Sequence, residues 1–322
     1  MLLITGATGF TGGHLAARLL AEGERVRVLV RHPDRLAPGM LNAEVCVGDI
    51  RDPDACARAV TGSDVVYHLA ASYRETGFSA EDHFAVNLDG TKRLCDAAGE
   101  AGVRRFVFCS TVGVHGEVAG PPADEESPFA PTDPYQESKC EAERYVHGHG
   151  SPMERVVFRP SGIYGPGDTR LLKFFRLIAR GRFFMIGDGT PRYHLTYIDD
   201  LVQGILLCGR HDRAAGEILI LAGPEAPTLN EWADIVAQTL GVRRPRWHVP
   251  VWPFTAAAVV AETVCAPLNI RPPLFRRRMD FFTKNREFTT AKAKRVLGFT
   301  PLIGVREGMA RTARWYQNQR LL

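Results

Sequence analysis

Tyr135 and Lys139 are the residues whose types and spacing point most directly to chemistry. They are four positions apart, so a helix would place both side chains on one face. A phenol with a pKa of about 10 is a poor base at neutral pH, but an ammonium group within ~4–6 Å lowers that pKa. Thr111 supplies a hydroxyl that can orient an alcohol or ketone toward Tyr135. The three residues predict proton transfer at a substrate oxygen.

A glycine-rich segment at residues 5–12 predicts a phosphate-binding loop. It reads Thr-Gly-Ala-Thr-Gly-Phe-Thr-Gly between a predicted strand and a predicted helix. Its glycines allow a tight turn, approach of the backbone to a pyrophosphate, and close packing of helix on strand. We therefore expect a dinucleotide at the helix N-terminus, the alternative being an ordinary glycine turn. The candidate contacts here are Gly6, Thr8, Gly9, Phe10 and Gly12.

The end of the second predicted strand distinguishes between two forms of this cofactor. Val30 and Arg31 stand where an acid would bind a ribose 2′-hydroxyl. A guanidinium would instead pair with a 2′-phosphate, and no carboxylate is there to repel that phosphate. We therefore expect NADP(H) in preference to NAD(H); the alternative is a solvated surface arginine. Asp49, after the third predicted strand, is expected at the adenine side of the site.

The elements that must position these residues follow an alternating pattern. Short β-branched runs alternate with amphipathic stretches, which predicts an α/β Rossmann-type doubly wound parallel sheet. A smaller C-terminal substrate lobe is interleaved with it: we assign 1–160 and about 194–222 to the nucleotide-binding domain, and about 161–193 and 223–322 to the lobe. The predicted strands are 2–5, 25–30, 43–47, 65–69, 105–109, 156–159 and about 217–221; the predicted helices are 14–21, 54–60 and 87–101.

Composition excludes several classes of protein. Of the 322 residues, 45% are hydrophobic and 24% are charged, and the formal net charge is +4. This balance is typical of a globular protein, and no basic run is interleaved with aromatics, so no nucleic-acid partner is expected. The seven cysteines are scattered and never form Cys-x-x-Cys, so we expect neither disulfides nor a metal site. The chain opens on an apolar strand without a signal peptide, and a cytoplasmic location is predicted.

The segment 249–270 is unusually apolar and carries a single charge, Glu262. Prolines interrupt it, and its unbroken apolar stretch is shorter than the ~18 residues that a membrane-spanning helix needs. The leading interpretation is a buried helix beside a solvated basic cluster formed by Arg271 and 276–278. The second interpretation is an apolar lid or a peripheral membrane-surface contact through 249–278.

Taken together, these motifs resemble an extended short-chain dehydrogenase/reductase of the NAD-dependent epimerase/dehydratase superfamily. The similarity runs nearly end to end and implies that Thr111, Tyr135 and Lys139 form a catalytic triad. It also implies a homodimer and a supporting role for Asn87. The motifs that carry it are 5–12, 48–49, 68–71, 87 with 90–91, 110–116, 135–139, 159–160, 164–167, 199–200 and 292–301. The further cofactor contacts that it implies are Ile50, Leu69, Ala70, Ala71, Ser110, Tyr135, Lys139, Pro160 and Ile163.

The resemblance also bears on the substrate. Nucleotide-sugar enzymes of this superfamily usually hold the diphosphate with an Asn, an Arg and an Arg-x-Gly-Asp element, where this chain has Gly162, Tyr193 and 281–286. Segments 26–33, 159–165, 194–200 and 288–316 instead resemble dihydroflavonol-reductase-like enzymes and 3β-hydroxysteroid and sterol dehydrogenases. The substrate contacts implied are Thr111, Val112, His115, Gly162 and Tyr193.

Three functional hypotheses follow. The leading one is hydride transfer between a nicotinamide and a secondary alcohol or ketone of a hydroxysteroid-like or other apolar substrate. The second is a nucleotide-sugar epimerase, dehydratase or reductase acting on a UDP-, dTDP- or GDP-sugar, with Arg170, Lys173 and Arg192 holding the diphosphate. The third is a redox-sensing or scaffolding protein that only binds the dinucleotide, which would not need the Tyr–Lys pair.

Overall fold

A parallel sheet of seven strands organises the computed structural model, which describes residues 1–73, 79–118, 120–244, 246–265 and 276–322, without the side chains of 276–278. The strands within these residues are β1 Leu2–Thr5, β2 Val26–Val30, β3 Glu44–Val47, β4 Val65–His68, β5 Arg105–Cys109, β6 Glu154–Pro160, β7 Gly162–Tyr164, β8 Met185–Ile186, β9 Leu195–Tyr197, β10 Ile218–Leu221 and β11 His248–Val249. The large sheet has the order β10-β6-β5-β4-β1-β2-β3. The predicted doubly wound α/β fold is thereby confirmed.

The strand order creates a crevice at the carboxyl end of the sheet. From β1 the chain adds β2 and β3 on one side, and then crosses to place β4 on the other side of β1. Such a switch point opens a crevice outside the carboxyl ends of the two strands, which is where ligands bind in sheets of this kind. The ends of β5 and β6 lie beside it, so residues that follow four buried strands meet at one place.

Helices cover both faces of the sheet. Within the described residues they are α1 Phe10–Ala21, α2 Pro53–Val60, α3 Ala80–Phe84, α4 Gly90–Glu100, α5 Pro134–His147, α6 Leu172–Ala179, α7 Ile198–Arg210, α8 Leu229–Thr239, α9 Trp252–Cys265, α10 Arg276–Thr283, α11 Ala291–Leu297 and α12 Val305–Asn318. Local sequence fixes several starts: α5 begins with Pro134 after Asp133, whose carboxylate accepts a hydrogen bond from the Gln136 amide at 3.0 Å.

A π-helical turn joins α3 to α4. Ala85–Asp89 continue the helix without a break but with a wider turn. The turn contains Asn87, which is fully buried, and it packs against α5. The sequence pattern placed a helix at 87–101, but the wide turn and α3 before it were not expected, because the apolar spacing of an α-helix does not encode an inserted residue.

The C-terminal part adds two small sheets and the remaining helices. β7 pairs with β9, and β8 pairs with β11, in both cases in parallel. The main hydrophobic core extends from the large sheet into this part, since Ile4 and Val28 belong to the same cluster as Trp232, Phe299 and Tyr316. The division into a nucleotide-binding domain and a substrate lobe at the residues given above stays a prediction.

The helix at 252–265 corrects the leading interpretation of the apolar segment. α9 has only one buried residue, Ala258, while Trp252 is 72% and Val260 is 62% exposed. A buried helix is therefore wrong for this stretch, because apolar content alone does not show which side of a helix another element covers. The rest of the predicted segment, 266–275, lies outside the described residues. In the part of the chain that the structure describes, no helix is long and apolar enough to cross a membrane.

Candidate active site

The glycine loop between β1 and α1 forms a cradle of bare backbone. Gly6 has a φ of +79°, and a Cβ there would come within 2.8 Å of the Ala70 nitrogen. A Cβ on Gly12 would lie 2.3 Å from the Gly6 oxygen, so both positions need glycine. Gly9 caps α1 without a side-chain hydrogen bond, and the first turn of α1 holds no acid. The free N–H groups of this turn therefore face outward and suit a pyrophosphate.

The other predicted cofactor residues border this cradle. Thr8 and Gly9 are exposed, and the Phe10 ring packs edge-on against His14 with 4.9 Å between ring centroids. Residues 69–71 follow β4 beside Gly6, and the buried Ile50 contacts the helix at Gly90. Pro160 ends β6, and Ile163 lies in β7. The loop, the strand ends and the open helix N-terminus together fit a dinucleotide along the switch-point crevice.

Three charged side chains, those of Arg31, Asp49 and Arg51, lie at the ends of β2 and β3. Arg31 is exposed, and Asp49 accepts a hydrogen bond from Arg51 Nη2 at 2.8 Å. Burial alone would raise the pKa of Asp49, but the bonds from Arg51 and the charge of Arg31 hold that pKa below its usual value. Arg51 was missed in the sequence; its position two residues after Asp49 was the available signal. Two cations and one anion therefore surround the expected adenosine end.

Tyr135 lies in the first turn of α5 and faces Thr111. The Thr111 side-chain oxygen accepts a hydrogen bond from the Gly113 amide at 3.0 Å. Burial raises the pKa of Tyr135 above its ordinary value, and the nearby Thr111 hydroxyl acts against that rise. The predicted lowering of this pKa by Lys139 is therefore not what the structure gives, because desolvation of the phenolate dominates.

Lys139 lies one turn further along α5 and is 2% exposed. Its Nζ is 4.0 Å from the centroid of the Phe108 ring, a cation–π contact. Burial lowers the pKa of Lys139 to about 8, and the negative charge of Glu143 acts in the opposite direction. The ammonium group is thus held in an apolar interior with an acid one helical turn away.

Below Lys139 lies a buried polar network, named here the Glu143 network. Glu143 and Arg159 form an ion pair whose side chains are 1% and 2% exposed. Ser110 Oγ donates to Glu143 Oε2 at 2.5 Å, and Arg159 Nη1 lies 3.0 Å from His115 Nε2. Burial and the charge of Arg159 lower the pKa of His115. The Ser110 hydroxyl and the His115 ring both bond within this network and so support the site from below. Their predicted contacts with cofactor and substrate stay predictions.

A second network supports α5 from the other side. Asn87 Nδ2 donates to Ser138 Oγ at 3.0 Å, and Ser138 Oγ donates to the Tyr135 carbonyl oxygen at 2.9 Å. The buried His68 bridges Thr5 at 2.7 Å and Thr91 at 2.9 Å. Burial, and then the charge of Lys139, lower the pKa of His68 to about 3, so this imidazole is neutral. Thr91 Oγ1 donates to the Asn87 carbonyl oxygen at 2.6 Å, so the two sets of bonds together link the Tyr135 turn to β1, β4 and α4.

The expected substrate side is lined by aromatic rings. A Cβ on Gly162 would lie 2.6 Å from the Tyr193 ring, which stacks on Trp232 at 5.7 Å between centroids. Phe281 lies 5.2 Å from Tyr193 and completes this group, named here the aromatic wall. Val112, partly buried, packs against a small core cluster beside it. Tyr73, which the sequence analysis missed although it follows β4, lies 4.9 Å from the Tyr135 ring.

The basic residues of the nucleotide-sugar hypothesis already have protein partners, with one exception. Arg170 binds Asp168 at 2.7 Å and the Ile163 carbonyl at 2.8 Å, and its guanidinium lies 5.7 Å from the centroid of the Phe10 ring. Arg192 donates to the Ala226 carbonyl at 2.7 Å. Lys173 is exposed on α6. Among the described residues, no group of three or more His, Cys, Asp or Glu could hold a metal ion.

The fold and this arrangement agree with a family comparison. The model of the NAD dependent epimerase/dehydratase family matches residues 2–222, and the chain belongs to this family. It is an extended short-chain dehydrogenase/reductase, an oxidoreductase class that uses a nicotinamide dinucleotide. The suspected family is thereby confirmed.

One relative and two solved structures show that the similarity extends over nearly the whole chain. The chain is 32% identical over 338 residues to a 3 beta-hydroxysteroid dehydrogenase/Delta 5-->4-isomerase of Mycobacterium tuberculosis, covering 98% of this chain and 90% of the relative. The crystal structure of gox2253 has a TM-score of 0.83 and 31% identity, covering 100% of this chain and 99% of that one. MoeE5 in complex with UDP-glucuronic acid and NAD has a TM-score of 0.77 and 27% identity, covering 99% of both chains.

Proposed function

We propose that this enzyme transfers a hydride between a nicotinamide and a secondary alcohol or ketone of a hydroxysteroid-like or other apolar molecule. The named activity of the Mycobacterium tuberculosis relative supports this substrate class. The observation that carries it is the contact of Tyr193 with Gly162, because an aromatic ring stands where nucleotide-sugar enzymes have polar diphosphate contacts. An apolar ring system gains about 25 cal/mol for each Å² that such a surface removes from water.

The chain's own residues have distinct tasks in this reaction. Thr111 holds the substrate oxygen, and Tyr135 gives a proton to it or takes one from it. Lys139, on the same face of α5, holds a positive charge and binds the ribose hydroxyls in this proposal. A bound nicotinamide dinucleotide supplies the hydride donor or acceptor and, when oxidised, a positive charge. The networks through Glu143 and Asn87 keep α5 fixed while Tyr135 exchanges its proton.

The finer expectations about this enzyme are proposals as well. NADP(H) is preferred over NAD(H), supported by the exposed Arg31 and by Arg51 beside it, although the MoeE5 structure holds NAD. A cytoplasmic location is supported by seven free cysteines. A homodimer is proposed from the family resemblance, and a light-scattering mass of one chain would contradict it.

The alternative is conversion of a nucleotide sugar, which the UDP-glucuronic acid complex of MoeE5 favours. It requires a diphosphate site, so UDP is a probe that does not depend on the sugar. Calorimetric titration of UDP into the NADP-loaded enzyme at low salt is expected to give no heat. Binding at micromolar UDP would overturn the hydroxysteroid proposal and favour the nucleotide-sugar reaction.

The positive test is an absorbance screen of 3β-hydroxysteroids and other apolar alcohols with NADP⁺.

Tyr135→Phe is expected to lower kcat by roughly 10²–10⁴-fold while cofactor affinity stays unchanged. Tyr145→Phe is the matched control, since it makes the same change on α5 at a hydroxyl that binds Asp96 outside the site. A Tyr135→Phe variant that keeps full biological activity in the cell would instead support the dinucleotide-binding scaffold class.

A further inference from the structure

The exposed side of α9 carries no charged residue and is largely apolar. The exposed residues of this helix fall within one arc of its surface, and we name six of them the α9 face: Trp252, Ala256, Val259, Val260, Thr263 and Val264. Val264 is 56% and Val259 is 41% exposed, and the single acid of the helix, Glu262, is not on this side. Monomeric proteins rarely leave such a patch without an interaction partner.

Basic and aromatic residues continue this surface along the edge of the β8–β11 sheet. The Met185 amide donates to the Trp247 carbonyl at 2.9 Å, which brings the chain around 182–184 alongside 246–247. Trp247 is 76% and Phe184 is 41% exposed, and the Phe184 ring stacks on Phe254 of α9 at 6.2 Å. Arg182 and Arg246, in the same two segments, are also exposed.

The same surface lies close to the candidate substrate site. α10 packs against α9 on one side. Phe281 of the same helix belongs to the aromatic wall, with 5.2 Å between its ring centroid and that of Tyr193. One helix therefore contacts both α9 and the place where an apolar substrate is expected.

We propose that the α9 face, with Trp247 and Phe184, docks on an anionic lipid membrane, with Arg182 and Arg246 at the headgroups. Tryptophan is enriched at the membrane–water boundary, where its ring is apolar and its N–H remains hydrated. A helix lying in the membrane plane buries one apolar side, and here the protein covers the other side. Each arginine near an anionic surface adds attraction that salt screens. This docking goes beyond the proposed reaction and does not depend on which substrate is turned over.

The test is flotation of the full-length enzyme with vesicles of phosphatidylcholine alone and with added phosphatidylglycerol. The wild type is expected to float with the anionic vesicles, and less so at high salt. Trp252→Ser and Val260→Ser are each expected to weaken vesicle binding by roughly tenfold or more, since each removes an apolar side chain that docking buries. Arg182→Gln with Arg246→Gln is expected to abolish the preference for anionic vesicles.

Matched controls separate docking from a loss of folding. Leu302→Ser changes an equally exposed apolar residue, 72% accessible, outside the surface, and Arg213→Gln removes an exposed charge elsewhere. Both controls should float like the wild type, and every variant should bind NADP⁺ with wild-type affinity, a readout that does not need turnover.

Two results would overturn the membrane proposal. One is failure of the wild type to float with either kind of vesicle. The other is a light-scattering mass of two chains that falls to one in Trp252→Ser and Val260→Ser, which would make α9 an interface between copies of this chain. Neither result would affect the proposed reaction, because that reaction is judged by the UDP titration and the alcohol screen.

Discussion

Arg31 is exposed directly after β2. Its charge lowers the pKa of Asp49, but the carboxylate of Asp49 is already hydrogen-bonded to Arg51. A cofactor 2′-phosphate would therefore meet a guanidinium without a competing carboxylate. Arg31→Ala is expected to weaken NADP⁺ binding by roughly 10- to 100-fold, since a hydrogen bond to a charged group contributes about 1.5–3 kcal/mol. NAD⁺ binding should stay the same. Fluorescence titration of both cofactors measures the effect.

The control for this substitution is Arg35→Ala, which removes an exposed arginine from the turn that follows the same strand. It should leave the affinity for both cofactors unchanged. An equal loss for NAD⁺ and NADP⁺ in Arg31→Ala would show that Arg31 does not read the 2′-phosphate.

His68 predicts a pH dependence of stability. Its folded pKa of about 3 lies below the ordinary value of 6.5, so the unfolded chain takes up the proton first. The contribution of His68 is therefore complete above about pH 6.5 and is lost as pH falls toward about pH 3. His68→Gln should lower stability at neutral pH but flatten its decline in acid, as measured by urea unfolding at several pH values. His147→Gln, at an exposed site on α5, should keep the wild-type slope.

The residues predicted best from the sequence are those whose role follows from their spacing within one short segment. The glycine loop lies directly before α1, and Tyr135 and Lys139 both lie in α5, so each motif is local in the sequence. In the structure both motifs lie at the switch-point crevice. Prediction from the sequence was weakest where orientation depends on distant partners. The direction of the His115 ring is set by Arg159, 44 positions away, and the burial that raises the pKa of Tyr135 comes from the whole surrounding fold.

At the scale of elements, the Glu143 network ties α5 to the ends of β5 and β6. Glu143→Gln removes the charge that compensates the buried Arg159, and breaking such a pair costs about 3–5 kcal/mol. We expect that loss in the free energy of unfolding, measured with urea. Adding Arg159→Met should recover part of it, because the double variant leaves no uncompensated charge.

The matched control is Glu307→Gln, which breaks an exposed pair with Arg311 within α12. Its cost should stay below about 1 kcal/mol, as for other surface pairs. A Glu143→Gln variant as stable as this control would mean that the buried pair contributes little to holding α5.

Elements differed in how well the sequence revealed them. The strands of the large sheet were predicted within about two residues, because these parallel strands, including the largely exposed edge strand β3, read as short runs rich in β-branched residues. α9 was misjudged for the same reason, since an apolar run such as 256–261 looks alike whether another element covers it or not. The π-helical turn at Ala85–Asp89 left no signal in the apolar spacing.

At the scale of the whole molecule, the shared core predicts cooperative unfolding. Trp232 is 3% exposed and belongs to the same cluster as Ile4 and Val28 of the large sheet. Calorimetry should therefore show one transition, and Trp232→Ala should shift all of it downward, by the equivalent of about 3–5 kcal/mol. A second transition that stays at the wild-type temperature would show that the two parts unfold independently.

The doubly wound topology was predictable because right-handed crossovers between parallel strands leave few alternatives once strands and helices alternate. The course of the chain after Pro160 was not, since short strands such as β8 and β11 become recognisable only when they pair. How the chain divides between the two lobes is for this reason a matter of packing and cannot be read from local pattern.

The wide turn at Ala85–Asp89 also determines which side of α4 faces the core, because it sets the rotation of α4 about its axis relative to α3. An α-helix advances about 100° per residue, so deleting one residue from this turn would rotate α4 by about that angle. Leu94, Cys95 and Ala98, now buried, would turn away from the core, or else Asn87 would leave Ser138. A deletion of a single codon there should therefore be as damaging to catalysis as loss of Tyr135, although no reacting group is removed.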